Sequence, residues 1–168
     1  MQSFGGPLIL IPRDSVALWH GSYGPDGDDE VEEEETDYWR ISEQVQDFAE
    51  SVDVHGIEAL VLANGQCPTT FVPAGSLFVQ EMSSGASGRA GDSVLQLLPG
   101  IKWSHVTAWN CAGPSLLFDS ARFGPSIKDS DCLPIDLPPG RYAVRSAYRM
   151  AQSIGEGSLA LTKLEFLE

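Results

Sequence analysis

Apolar residues recur along the chain in short runs set off by glycine, proline and acidic turns, a spacing that predicts many strands and few helices. Near the start, Leu8, Ile9, Leu10 and Ile11 lie between Pro7 and Pro12, and a second apolar run occupies residues 15–20. Both are rich in residues that suit a pleated surface, so two strands joined by a tight turn at Arg13-Asp14 are expected. The stretch Tyr23-Gly24-Pro25-Asp26-Gly27 breaks regular structure, and residues 21–36 are expected to form an exposed, mobile loop. Tyr38, Ile41, Val45 and Phe48 then recur at intervals of three and four, which places them on one face of a helix over 38–50 capped by Asp37. Acids before and within its first turn suit the positive end of the helix dipole.

Beyond His55-Gly56, residues 57–63 predict a strand interior to a sheet, Asn64-Gly65 a hairpin turn, and 69–72 the returning strand, because Asn-Gly tolerates positive φ at both positions. Residues 76–81 predict another strand, and 83–88 have the Ser/Gly composition of a flexible linker. Asp92 is placed to cap a short helix carrying Val94, Leu95, Leu97 and Leu98, which Pro99-Gly100 ends. Extended segments follow over 103–109, 115–119, 133–137, 141–148 and 159–166, with Pro138-Pro139-Gly140 as a tight turn. In the 141–148 strand, Arg141, Arg145 and Arg149 share one face. The expected fold class is α+β, mainly antiparallel sheet with about two helices. At 168 residues the chain fits a single domain, 1–168. Gly6-Pro7 and Gly113-Pro114 each introduce an apolar strand, an echo that suggests two halves, 1–82 and 92–168, sharing one core.

Charge changes the picture in one place. The chain has 10 basic and 24 acidic residues, a net charge of −14. Nine of the acids fall between Asp26 and Asp37 with no base among them, and the other 156 residues carry 10 basic and 15 acidic ones. Such a balance argues against nucleic acid or an anionic membrane as partner, since both select for positive charge. A charged partner should be basic. Asp28, Asp29, Glu30, Glu32, Glu33, Glu34 and Glu35 are the candidate contact residues. Trp39 joins them, because it lies off the helix's apolar face beside clustered charge, the composition of an interface hot spot.

Catalytic and metal chemistry find little support in local motifs. His20, His55 and His105 are far apart, with no His-Glu-x-x-His or clustered Cys/His spacing, so a metal site would have to be assembled from distant segments. No serine sits in a G-x-S-x-G elbow and no glycine run ends in Gly-Lys-Ser/Thr. Cys67, Cys111 and Cys132 are spaced as free, buried thiols of a reducing compartment. No catalytic residue, metal or cofactor is expected. No apolar run approaches the roughly 20 residues of a membrane helix, and the amino terminus lacks the order of a secretion signal, so a cytoplasmic location is expected.

Several strings spread over nearly the whole chain carry a resemblance. They are Gly5-Gly6-Pro7-Leu8 leading to Pro12, Trp19-His20-Gly21, Asp37-Tyr38-Trp39-Arg40, Ala59-Leu60-Val61-Leu62 followed by Pro68-Thr69-Thr70-Phe71, Leu117-Phe118-Asp119-Ser120, and Pro139-Gly140-Arg141-Tyr142. In this order and spacing the chain resembles the immunity protein 21 family of bacterial polymorphic toxin systems. The resemblance implies a protein that binds a cognate toxin domain, one with a basic surface, and blocks it by stoichiometric occlusion. Two departures stand out: the loop over 24–36 is longer and more acidic than the family leads one to expect, and Ala63-Asn64-Gly65-Gln66 replaces an acid-containing turn. The alternative reading is a small-molecule or regulatory binding module with a pocket between the two halves.

Overall fold

Among the described residues, ten strands lie in two antiparallel sheets, with one α-helix and several short 3-10 helices beside them. This computed structural model describes residues 1–168 apart from 4–5, 28–31, 46–47, 84–91, 151–156 and 168. The first sheet has the order β2-β3-β1-β7-β8, formed by Ala49–Val54, Ile57–Leu62, Leu8–Pro12, Ser115–Asp119 and Cys132–Ile135. The second has the order β4-β5-β10-β9-β6, formed by Thr69–Val72, Leu77–Glu81, Leu159–Phe166, Gly140–Arg149 and Ser104–Cys111. The α+β expectation, mainly antiparallel with few helices, holds. Each half of the sequence supplies strands to both sheets, and the two Gly-Pro strands β1 and β7 are antiparallel neighbours, Leu8 opposite Asp119 and Pro12 opposite Ser115.

The alternation of side chains along each strand sorts the apolar residues into layers. Leu8, Leu10, Leu60 and Leu62 of the first sheet meet Phe78, Trp109, Val144 and Leu164 of the second, filling the space between the sheets. Ile9, Ile11, Val61 and Phe118 point the other way and are covered by Val16, Trp19 and Ile41. On the far side of the second sheet, Val94 of the 3-10 helix Asp92–Leu97 packs with Leu77, Val79, Ala147 and Leu161.

Four local expectations are corrected. Residues 15–20 are not a strand: Arg13–Leu18 is a 3-10 helix. Val16 and Trp19 are three apart, which is one turn of that helix, so both face inward, and Trp19 anchors there by donating its indole N–H to the Ser120 carbonyl at 2.9 Å. The helix expected over 38–50 is shorter, α1 at Asp37–Gln44, because the chain from Ala49 onward pairs with β3. Its N-cap is Thr36, whose hydroxyl accepts from the Trp39 N–H at 3.1 Å, and not Asp37. The second expected helix is a 3-10 helix.

The hairpin at Asn64-Gly65 is the fourth correction. Asn64 does take positive φ, 57°, but the chain there leaves the first sheet and β4 pairs with β5 in the second. Gly65 lies so close to β1 that a Cβ would stand 2.3 Å from the Gly6 carbonyl oxygen, which explains why only glycine suits this crossing. The tight hairpin is instead His55-Gly56, with φ of 51° and 85°, joining Val54 to its partner Ile57. The linker expected over 83–88 lies almost wholly outside the described residues.

Candidate functional site

The acidic segment enters α1 through a short 3-10 helix, Glu33–Glu35, and Thr36. Glu32, Glu33, Glu34 and Glu35 are all exposed, and among the described residues none of their side chains is ion-paired. The arginine nearest in sequence, Arg40, is engaged with Asp37 at 3.0 Å. Trp39 is half-buried one turn into α1. It lines a shallow cleft of about 320 Å³ with Glu34, Glu35, Arg40 and Glu43. The structure therefore groups Glu32, Glu33, Glu34, Glu35 and Trp39 at one end of the helix; Asp28, Asp29 and Glu30 lie outside the described residues.

The earlier part of the loop is not free. Ser22 N–H donates to the Ala121 carbonyl at 3.1 Å, Tyr38 N–H donates to the Gly21 carbonyl at 3.0 Å, and the rings of Tyr23 and Phe123 lie 5.9 Å apart. These contacts hold residues 21–23 against the segment after β7, which corrects the expectation of a mobile loop at that end.

Asp37 is the residue that sequence reasoning placed least well. Its carboxylate is only 6% exposed. Oδ2 accepts from the backbone N–H of His20 at 2.9 Å and lies 3.1 Å from His55 Nε2 and 3.6 Å from His20 Nδ1. Oδ1 accepts from Arg40 at 3.0 Å. The two imidazole rings stand 5.2 Å apart between centroids. His20 and His55, isolated along the chain, thus converge on one buried carboxylate. The only hint in the sequence is that each precedes a glycine, His20-Gly21 and His55-Gly56, as residues at tight turns do.

The cysteines are free thiols as expected, but only Cys111 is buried; Cys67 and Cys132 are half-buried. Burial pushes Cys67, Cys111 and Cys132 above the ordinary thiol value, which leaves less of the reactive thiolate. Arginines of β9 are partly neutralised: Glu165 binds both Arg145 and Lys163, and these hydrogen bonds hold its carboxyl below the usual carboxylate range.

The fold is an antiparallel two-sheet domain that displays an acidic segment beside an aromatic side chain. The chain belongs to the immunity protein 21 family, whose sequence model matches residues 1–154. Membership carries a toxin-neutralising immunity role and a cognate toxin as partner, and the family is not a known enzyme family. No curated protein and no solved structure matched the chain. Among the described residues no helix is long and apolar enough to cross a membrane.

Proposed function

We propose that this protein neutralises its toxin by stoichiometric occlusion, docking the acidic segment at Glu32, Glu33, Glu34 and Glu35 and the adjacent Trp39 onto a basic surface of the toxin. The observation that carries this reading is the run of four exposed carboxylates that have no ion partner among the described residues, two of which, Glu34 and Glu35, line the cleft that Trp39 also lines. Clustered charge of one sign steers an oppositely charged protein and raises its association rate by about 10- to 1,000-fold, an effect that salt screens over about 8–10 Å. A half-buried tryptophan supplies what charge does not, desolvated contact area that slows dissociation. Thr36 links the two features, since its cap fixes where the helix starts and so where Trp39 stands relative to the glutamates.

The test is a kinetic comparison on the complex with the cognate toxin. The triple variant Glu33→Lys, Glu34→Lys, Glu35→Lys should associate at least about tenfold more slowly at low salt and lose most of the salt dependence. Trp39→Ala should chiefly speed dissociation, by about 30-fold if it is worth about 2 kcal/mol. Unchanged association and inhibition in the triple variant would remove the acidic segment from the interface.

A further inference from the structure

Three side chains outside the proposed toxin contact come together from segments that are distant in sequence. His20 follows the 3-10 helix Arg13–Leu18, Asp37 opens α1, and His55 sits at the tip of the β2–β3 hairpin. We propose that His20 Nδ1, Asp37 Oδ2 and His55 Nε2 form a binding site for a divalent transition-metal ion of the zinc type, with at least one coordination position left open.

Geometry is the first support. The three candidate ligand atoms all lie within 4.8 Å of one another, with Asp37 Oδ2 3.1 Å from His55 Nε2 and 3.6 Å from His20 Nδ1. Bonds of about 2.0–2.2 Å in a tetrahedral arrangement put neighbouring ligand atoms roughly 3.3–3.5 Å apart. The two separations from Asp37 are therefore close to what a zinc-type ion needs, and rotation of the two partly exposed rings must draw in the widest separation of the group, which reaches 4.8 Å. The shortest of the separations, to His55, opens by a few tenths of an ångström.

Orientation is the second. A ligating carboxylate works best when its other lone pairs are occupied, because those bonds fix the direction of the remaining one. Arg40 takes Oδ1 of Asp37 and the His20 backbone N–H takes one side of Oδ2, and the contact of Oδ2 with His55 Nε2 at 3.1 Å is the one a metal ion would replace. Arg40 also neutralises the buried carboxylate without competing for the oxygen that faces the rings. His55 holds its place from the left-handed region, φ 51°, a backbone state that histidine adopts more readily than most side chains.

Chemistry selects the ion. Two imidazoles and a single carboxylate favour zinc and its neighbours over calcium or magnesium, which require more oxygens. His20 and His55 are 24% and 40% exposed, so the open position faces solvent, beside the ring of Phe123 6.3 Å from His20. Bound there, the ion ties the start of α1 to the hairpin of the first sheet and to the segment behind Trp19. It thereby anchors the root of the acidic segment.

Titration of the whole protein, without toxin, with zinc alone in metal-stripped buffer at neutral pH tests this, and its outcome is independent of how the toxin is bound. One zinc per chain is expected, along with the visible absorption bands of a low-symmetry site when cobalt replaces zinc. His55→Ala and His20→Ala should each weaken binding at least about tenfold, and zinc should raise the melting temperature of the parent protein but not of His55→Ala. His105→Ala, on β6, should bind as the parent does. His55 is on an exposed hairpin tip, so that variant decides the matter if His20→Ala fails to fold. Absence of zinc binding, binding that survives the loss of His55, or equal binding of calcium, which would place the cation on the acidic segment, overturns the proposal.

Discussion

The indole Nε1 of Trp109, on β6, donates a 3.2 Å hydrogen bond to the backbone carbonyl of Glu58, on β3. The two residues belong to different sheets, so this bond closes one edge of the sandwich. Trp109 is fully buried, and its ring lies 5.9 Å from that of Tyr142 in the neighbouring strand. Trp109→Ala should therefore remove both a large packed side chain and a cross-sheet tether. An expected loss of about 3–5 kcal/mol would appear as a lower urea midpoint with an unchanged slope.

The side chain of Glu58 adds a pH-dependent bond at the same edge. Burial alone would raise its pKa, but hydrogen bonds from the Ser51 hydroxyl and from the side chain and backbone of Asn110, with the charge of Arg141, outweigh it and hold the carboxyl below 4.5. A carboxyl whose folded pKa is depressed adds stability that is present above its unfolded value and is lost as pH falls through the folded one. Stability should thus decline on acidification from about pH 5 downward. Glu58→Gln should lower stability at neutral pH and flatten that decline, as read from chemical denaturation at a series of pH values; an equally steep decline in the variant would assign it to other groups, Glu165 among them.

Gly124 sets how closely two loops approach. Its N–H donates to the Trp19 carbonyl at 2.8 Å, and a Cβ there would stand 2.0 Å from the Val16 carbonyl oxygen and 2.7 Å from that of Trp19, both backbone atoms. Backbone cannot swing aside as a side chain does. Gly124→Ala should cost about 1–3 kcal/mol in urea denaturation and, by displacing the segment that carries His20, weaken zinc binding even though no ligand is changed.

Strand content was legible because it depends on local pattern. Residues 115–119 and 159–166 form strands over the span their apolar alternation predicts, and Gly140–Arg149 exceeds its expected span by one residue at each end. The errors fall where a short apolar run satisfies two periods at once. Val16 and Trp19 fit a strand run, yet three-residue spacing also suits the 3-10 helix that lets both pack on β1 and β7. Phe48 fits the helical spacing of Tyr38 and Ile41, but residues 49–54 bury Val52 and Val54 by pairing with β3, a gain that no local window records.

The sequence by itself determined the approximate place of most strands, though it put one at 15–20 where a 3-10 helix stands and missed Ala49–Val54, and it determined the concentration of negative charge ahead of α1. These are matters of side-chain period and of charge counted along the chain, and both are local. Tertiary structure alone decided which strands are neighbours, that Asn64-Gly65 crosses between sheets while His55-Gly56 makes the hairpin, and that His20, Asp37 and His55 meet. Their meeting depends on three turns brought to one end of the first sheet by the long-range pairing of β1 with β3 and β7, so no spacing along the chain encodes it.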